Sequence, residues 1–491
     1  MARHGSSLAY RDDKEQRTLS EQLGAFSEQA RWEDLSPEAR EALKIRTLDA
    51  LGCAFGSLAS GSMRSLRQEI DAFGGSPLCT LFGGGKTSPD RAAFYNGALV
   101  RYLDFNDSYL AKGETCHPSD NLGAVLAAAE FSGTTCKEFL TALALSYQVQ
   151  CRRSDVAPVR HRGFDHTTQG AFAAAAGCGK ALGLGAARIA HALGISGASN
   201  IALRVTRTGA LSHWKGLAAP NTAFNGLRAA FLAMRGITGP LEVFEGTKGW
   251  MQTVSGDFEI DWFREDLERV RRTIVKKYNA EIHSQSAIEG LLEMMKEEGF
   301  LGEDIDRIGV ASFDVAHLII GGGAEGDKTS VRTKEEADHS LPYILAVAAL
   351  DGKVMPAQYA EARIGRDDVQ ALLHRVTIVP EPEFTERFPE EHACRITVHL
   401  KDGREIRREK CDYEGFHSRP MGWERVEEKF HALSREVLPP GHRDRIIKAV
   451  GRYPLKRLFA QCCFDLKIRR NPARIRPLPN PYRDLIFVTL S

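Results

Sequence analysis

The sequence predicts a mostly α protein with a smaller α+β domain. Its 491 residues exceed what one hydrophobic core usually holds, since cores stop growing near about 250 to 300 residues. From Leu19 to about Glu265 the apolar residues recur largely at helical spacing, whereas short β-rich runs begin beyond about Arg272. Two domains are therefore expected, and the larger one should be all-helical.

The helices of the first half are indicated by capping residues and by runs of small residues. Ser36 and Pro37 have the pattern of an N-cap followed by proline at the first helical position. The runs 170–185 and 186–202 are rich in alanine and glycine, which favours close contact between helices over exposure to solvent. These segments are predicted to lie inside a large bundle.

Strand patterns define the smaller domain. The run 308–320 is predicted to be β-rich, and 376–379 and 395–400 are predicted as short strands. Lys401-Asp402-Gly403 is typical of a hairpin turn leading into 404–408. Helices are expected between the strands at 338–350, 356–362 and 367–374.

The domain boundaries follow these changes of pattern. The helical domain is predicted over 1–270, the α+β domain over 271–412, and a return to the helical domain over 413–464, with helices near 421–438 and 443–450. The remaining segment, 465–491, has four prolines and six basic against two acidic residues. It is predicted to be an irregular basic extension, with a partner-binding arm as the alternative.

Composition argues against several classes of function. Lysine plus arginine (65) nearly equals aspartate plus glutamate (64), so the charge provides no field for nucleic acid or an anionic membrane. The ten cysteines include no Cys-x-x-Cys pair, which argues against a zinc or iron-sulfur centre and favours a reducing compartment. With neither a signal-peptide pattern nor a run of about 18 apolar residues, a soluble cytoplasmic protein is expected.

Two glycine-rich runs do not fit nucleotide-binding motifs. Gly83 to Thr87 resembles the end of a phosphate-binding P-loop, but Thr80 stands where that motif requires glycine. Gly321 to Gly323 lacks the strand-turn-helix setting of a dinucleotide site and is predicted to be a flexible loop.

The segment 101–123 concentrates polar side chains just before an apolar helical run. It contains Asp104, Asn106, Asp107, Ser108, His117, Ser119, Asp120 and Asn121. Such an assortment indicates a polar site at the mouth of a helix.

Three predicted helices begin just after a basic residue: His117, His166 and Lys215. Helix N-termini attract carboxylates and phosphates, so these three ends would form a polyanion site if they converge. Each end taken alone also fits a capped surface helix with a chance basic neighbour. The segment 276–285 adds further charges at the domain boundary, where a hinge could close over an anion; an ordinary solvated cluster is the alternative.

From about Ser20 to Leu458 the chain resembles the MmgE/PrpD family. The matching motifs are Leu48 to Gly52, Arg101 to Gly123, Gly163 to His166, the Lys215 turn, Lys276 to Gln285, and Asp338 to Ser340 with Tyr343. The resemblance implies a large all-α domain built from both chain ends, an α+β lid, a homodimer, and a metal-free site in the cleft between the domains.

The resemblance also implies site residues, by motif. Those implied to be catalytic are His117, His166, Asp104, Lys215 and Lys276; those implied to contact substrate are Asn106, Ser108, Ser119, Glu281, His283 and His317. The two histidines are the candidates for acid and base, and the lysines for holding carboxylates. Asp104 is expected to orient His117.

The implied activity is cofactor-independent dehydration of a β-hydroxy tricarboxylate, 2-methylcitrate to 2-methyl-cis-aconitate and also citrate, in propionate catabolism. Ser119-Asp120-Asn121 and the run 280–285 resemble the dehydratase branch. Decarboxylation or epimerisation of a related acid is the alternative, and a non-catalytic carboxylate-binding protein is a third hypothesis.

Overall fold

The computed structural model describes residues 17–451 and confirms a mostly helical protein with a small sheet. The extension predicted for 465–491 lies outside the described residues. No helix within 17–451 combines the length and the apolar character that crossing a bilayer requires.

The elements are as follows. The helices of the first part are α1 (Leu19–Gln29), α2 (Pro37–Ser57), α3 (Gly61–Phe73), α4 (Pro89–Tyr102), α5 (Leu122–Ser132), α6 (Cys136–Val156), α7 (Thr167–Ala181), α8 (Ala186–Ser199) and α9 (Ala218–Met234). Two short hairpins accompany them: β1 (Cys79–Thr80) with β2 (Lys86–Thr87), and β3 (Tyr109–Leu110) with β4 (Thr115–Cys116).

The second part alternates helices and strands. Its helices are α10 (Gln285–Glu298), α11 (Asp314–Ile320), α12 (Lys334–Ala337), α13 (Leu341–Asp351), α14 (Glu361–Ile364), α15 (Asp367–Leu373) and α16 (Pro382–Arg387). Its strands are β5 (Ile305–Ser312), β6 (Val376–Pro380), β7 (Cys394–Leu400) and β8 (Glu405–Lys410). Two helices follow, α17 (Trp423–Ser434) and α18 (Pro440–Gly451).

Local sequence explains why the bundle helices form and pack where they do. Ser36 caps α2 as predicted, because its hydroxyl accepts the backbone N–H of Ala39 at 3.1 Å. Helices α7 and α8 are largely buried, and glycine lets α6 approach α7: a Cβ on Gly177 would lie 1.9 Å from the Ser146 hydroxyl. The small-residue runs therefore make close helix contacts, as the sequence indicates.

The sheet has the order β6-β5-β7-β8, with β5 parallel to β6 and antiparallel to β7. The prediction of a β-rich run over 308–320 was wrong in its second half, because the strand ends at Ser312 and α11 follows. The buried residues of α11, Val315, Ala316, Ile319 and Ile320, recur at helical spacing. The β-branched residues alone did not reveal that the apolar residues change from strand spacing to helical spacing.

Buried apolar residues form two large clusters. The first runs from Leu23 to Val275 and resumes from Met421 to Val450. The second, apart from Leu110, runs from Ile274 to Phe416. We propose that these are the cores of the two predicted domains, whose boundaries at 270 and 412 stay predictions.

The polar segment 101–123 is hydrogen-bonded to the part of the chain that links the two clusters. Ser108 and Ile274 exchange both backbone hydrogen bonds, at 2.9 and 2.7 Å. The chain returns past the same point at Gly415, which has a φ of 109° and where a Cβ would lie 2.1 Å from the Val275 carbonyl oxygen. The segment with the richest polar chemistry is thereby held beside the boundary.

Candidate active site

A narrow, partly open cavity lies between the two clusters, with a volume of about 30 Å³. Its lining is dominated by charged and imidazole side chains: Arg101, Asp104, Glu114, Thr115, His117, Arg160, His166, Arg204, Arg207, Glu281, His283, Ile319 and His339. Five of the predicted site residues thus line one cavity, although they come from segments far apart in the chain.

His117 and His166 meet at the N-terminal ends of their helical segments. Their ring centroids are 5.2 Å apart, and both side chains are buried. His117 Nδ1 lies 2.9 Å from the Asp107 carbonyl oxygen and 3.0 Å from Ser108 Oγ. Because a carbonyl only accepts, we assign the proton to Nδ1, which leaves a lone pair on Nε2.

Both imidazoles are neutral near pH 7, contrary to the expectation that they act as cations. Burial, reinforced by Arg101 and Lys276, holds the pKa of His117 well below its usual value. Burial likewise lowers the pKa of His166 to about 3 and outweighs the neighbouring Asp165 carboxylate. The two rings can therefore accept protons, and the positive charge of the site comes from arginine and lysine.

Asp104 is the centre of a buried ion-pair network. Its Oδ1 lies 2.6 Å from Arg101 Nη1 and 2.8 Å from Lys276 Nζ, and its Oδ2 lies 3.4 Å from Lys215 Nζ. Burial opposes ionisation, but these cations outweigh it and keep the pKa of Asp104 well below its usual value. Asp104 adopts a left-handed φ of 55° in this position.

The expected contact between Asp104 and His117 does not form in the described structure. The carboxylate of Asp104 is bound by cations, and the His117 ring is held instead by Ser108 and the Asp107 carbonyl. Opposite charge attracts Asp104 more strongly than a neutral imidazole does, which explains the difference.

The network continues into Asp338 and His339, which lie between α12 and α13. Lys215 Nζ lies 2.5 Å from Asp338 Oδ1, and His339 Nδ1 lies 2.9 Å from the same oxygen. Burial lowers the pKa of Lys215 to about 8, despite the carboxylates of Asp338 and Asp104. Lys215 is thus protonated at neutral pH but close to its titration range.

Within residues 17–451 one group of side chains has the spacing of metal ligands. It consists of Asp104, Asp338 and His339, whose ligand atoms lie within 4.8 Å of one another. The ammonium groups of Lys215 and Lys276 contact these carboxylates directly. The donor set therefore fits internal ammonium ions better than a further cation.

Glu281 and His283 form a carboxylate–imidazole pair just before α10. Glu281 Oε1 lies 2.7 Å from His283 Nδ1, and Oε2 accepts the His283 backbone N–H at 2.7 Å. Burial would raise the pKa of Glu281, but His283 outweighs it and lowers the value to about 2. His283 Nε2 lies 3.4 Å from the Thr115 hydroxyl, at the cavity wall.

Three arginines that sequence reasoning missed complete the wall: Arg160, Arg204 and Arg207. Arg207 Nε lies 2.5 Å from Asp165 Oδ2, yet its buried Nη1 has no hydrogen-bond partner within residues 17–451. Over the same described range the guanidinium of Arg160 forms neither a hydrogen bond nor an ion pair. These N–H groups are donors available to an anion in the cavity.

Other predicted site residues lie behind the wall or away from it. Lys215 and Lys276 contact Asp104, and Ser108 contacts His117. Asn106 donates to Ser119 Oγ at 2.9 Å, so both support the segment from inside. His317 is half-buried on α11 and does not line the cavity. Ile319 of the same helix does line it.

The missed arginines had only a weak signal in the sequence. Arg204 and Arg207 are three residues apart shortly before Lys215, and Arg160 shortly precedes His166. Isolated basic residues in loops usually lie on the surface, so only the fold shows that these point inward.

Comparison with known proteins gives matches over most of the chain. The model of the MmgE/PrpD N-terminal domain matches residues 21–262, and that of the MmgE/PrpD C-terminal domain matches residues 278–453. A 2-methylcitrate dehydratase of Escherichia coli (strain K12) is 28% identical over 430 residues, covering 82% of this chain and 87% of that protein.

Two further relatives differ in their names. The alkylcitrate dehydratase phiI of a fungal species is 28% identical over 442 residues, covering 83% of this chain and 86% of that protein. A cis-aconitate decarboxylase of Mus musculus is 25% identical over 427 residues, covering 80% and 82% respectively.

Proposed function

Because this chain belongs to the MmgE/PrpD family, we propose that it is a hydro-lyase that dehydrates a β-hydroxy tricarboxylate, with 2-methylcitrate as substrate. One observation carries the proposal: the guanidinium of Arg160 and the partnerless Nη1 of Arg207 line the same narrow cavity as two neutral imidazoles. Arginines can bind carboxylates, and neutral imidazoles can remove a proton.

The proposed first step is proton removal by His117. Its Nε2 lone pair takes the proton from the carbon next to a substrate carboxylate, and Nδ1–H stays bonded to the Asp107 carbonyl. Negative charge then develops on that carboxylate as an enolate. Arg160 and Arg207 stabilise this charge, because fixed cations act most strongly in a narrow cavity that holds little water.

The second step is loss of the β-hydroxyl as water. The electron pair of the enolate forms the carbon-carbon double bond while the carbon-oxygen bond breaks, and the leaving oxygen takes a proton. We assign that proton to His283, because its Nδ1 is held by the Glu281 carboxylate at 2.7 Å and its Nε2 lies at the cavity wall. His166 then remains as a neutral ring beside the base.

Product analysis tests the proposal. Purified protein should convert 2-methylcitrate, or citrate, to an unsaturated acid detected by absorbance and proton NMR, with cis-aconitate as a parallel substrate. Release of carbon dioxide from cis-aconitate would indicate that the protein is a decarboxylase and not a dehydratase. Decarboxylation is the activity named for one relative. Inversion without unsaturation would indicate epimerisation, and no reaction with any of the three acids would contradict the proposal.

The pH profile gives a separate test. Both buried imidazoles have lowered pKa values, so kcat/KM should show no acid limb near the pH of about 6.5 at which an ordinary histidine titrates. It should fall above about pH 8, where Lys215 loses its proton and its charge beside Asp104 and Asp338.

Lys215→Arg is the matched variant, because arginine stays charged throughout this range. Its residual activity should lose the alkaline limb. An alkaline limb unchanged in Lys215→Arg would show that another group titrates there.

The homodimer implied by the resemblance belongs to the same proposal. So do the cytoplasmic location expected from the sequence and a role in propionate catabolism. Light scattering on the purified protein tests the dimer directly, because a monomer mass would contradict it.

A further inference from the structure

The cavity is too small for the proposed substrate. Its volume of about 30 Å³ leaves room for about two or three water molecules, whereas sites for small molecules usually measure about 300 to 1,000 Å³. A tricarboxylate can enter only if part of the wall moves, and the contacts across the wall show which part.

Two internal carboxylates contact Arg204: Glu325 directly, and Asp165 more loosely, with Oδ2 3.9 Å from Nη1. Glu325 contacts Arg204 with both of its oxygens: Oε1 lies 2.9 Å from Nε, and Oε2 lies 2.7 Å from Nη2. The two side chains are 11% and 9% exposed, so water screens the pair little. A forked contact of this kind is also the way arginine binds a carboxylate ligand.

Glu325 lies on a glycine-rich loop that separates α11 from α12, residues 321–332, here called the gate loop. Glycine occupies 321, 322, 323 and 326, and two of these have left-handed φ values, 95° at Gly322 and 117° at Gly326. The described backbone contact of Glu325 to the opposite wall is one hydrogen bond, from Gly209 N–H to the Glu325 carbonyl at 3.2 Å. The rest of the loop is held more firmly, because the Ser340 hydroxyl donates to the Lys328 carbonyl and Val331 is buried. Only the glycine-rich part, residues 321–326, therefore needs to move.

We propose that Glu325 occupies a carboxylate subsite of Arg204, and that the gate loop must withdraw it before a substrate carboxylate can bind there. This inference rests on the proposed polycarboxylate substrate. Arg204 would then join Arg160, which is near enough for the charges of Arg204 and Glu325 to influence its pKa. The two guanidinium groups would share the incoming carboxylate.

The exchange makes Glu325 an internal competitor of the substrate. Apparent affinity is reduced by the fraction of protein in which the subsite is occupied, so removal of the competing charge should tighten binding. A purely structural ion pair predicts the opposite, since its loss would loosen the wall.

The test is binding of propane-1,2,3-tricarboxylate, a saturated tricarboxylate without a hydroxyl to eliminate, measured by calorimetry. Glu325→Gln should tighten binding about tenfold, and in turnover KM should fall while kcat stays unchanged. Arg204→Gln should weaken binding, and Glu325→Gln added to Arg204→Gln should then have no further effect.

Glu390→Gln is the matched control, because Glu390 forms an exposed ion pair with Arg272 at 3.3 Å and does not line the cavity. It should leave affinity unchanged. If the wild-type protein binds the tricarboxylate but Glu325→Gln binds it no more tightly, the exchange is wrong and the proposed function stands. If the wild type neither binds it nor converts any of the three acids, both fail.

Discussion

Replacement of His117 by glutamine is expected to lower kcat about a thousandfold, within the range of about 10²- to 10⁴-fold that general base catalysis usually contributes. The ring is one of the two neutral imidazoles in the cavity, and its Nδ1 contacts direct the Nε2 lone pair away from the Asp107 carbonyl. Glutamine keeps a polar amide but has no comparable basic nitrogen. Stopped-flow and steady-state measurement of unsaturated product would show the loss.

The control separates chemistry from folding. His117→Gln should bind propane-1,2,3-tricarboxylate with an affinity close to that of the wild type, because the arginines that hold the carboxylates are unchanged. Ser108→Ala removes the hydroxyl 3.0 Å from Nδ1 but leaves the Asp107 carbonyl, so a smaller loss is expected. Wild-type kcat in His117→Gln would show that His166 or another group is the base.

Replacement of Asp104 by asparagine is expected to destabilise the protein by about 3 to 5 kcal/mol, the usual effect of removing one partner of a buried ion pair. Asn has nearly the same shape and tolerates the left-handed φ of 55°, so the change is mainly one of charge. The substitution removes one of the negative charges that balance the buried cations Arg101, Lys276 and Lys215. Urea unfolding followed by circular dichroism would measure the loss.

Asp71→Asn is the matched control on the surface. Asp71 pairs with Arg67 at 2.9 Å, but its side chain is 60% exposed, and exposed pairs contribute only about 0 to 1 kcal/mol. Activity should also fall in Asp104→Asn, because the cations would move toward other carboxylates. Equal stability of the two variants would contradict the view that Asp104 neutralises the buried cations.

Much of the fold was predictable because its signals are local. The Ser36-Pro37 start of α2, the small-residue helices α7 and α8, and the strands β6 and β7 follow from capping and periodicity within short windows. The exception was α11, whose β-branched residues resemble a continuing strand. Whether these residues form a helix or a strand is decided by packing beside the sheet. A short stretch of sequence does not contain that information.

The candidate site was predictable only in part. The polar segment 101–123 and the histidines His117 and His166 were found, and the fold brings them to one cavity. Their protonation was not predictable, since the pKa depends on burial and on Arg101, which the spacing of residues does not reveal. Glu325 was also hidden, because its importance lies wholly in the arginine it contacts.

The sequence by itself determined many of the elements, the resemblance to the family and the presence of a polar segment before α5. Only the tertiary structure decided which charges neutralise one another: Lys276 reaches Asp104 across 172 residues, and Lys215 reaches Asp338 across 123. Electrostatic energy depends on distance in space and on the exclusion of water, and both are fixed only when the two clusters close around the same cavity.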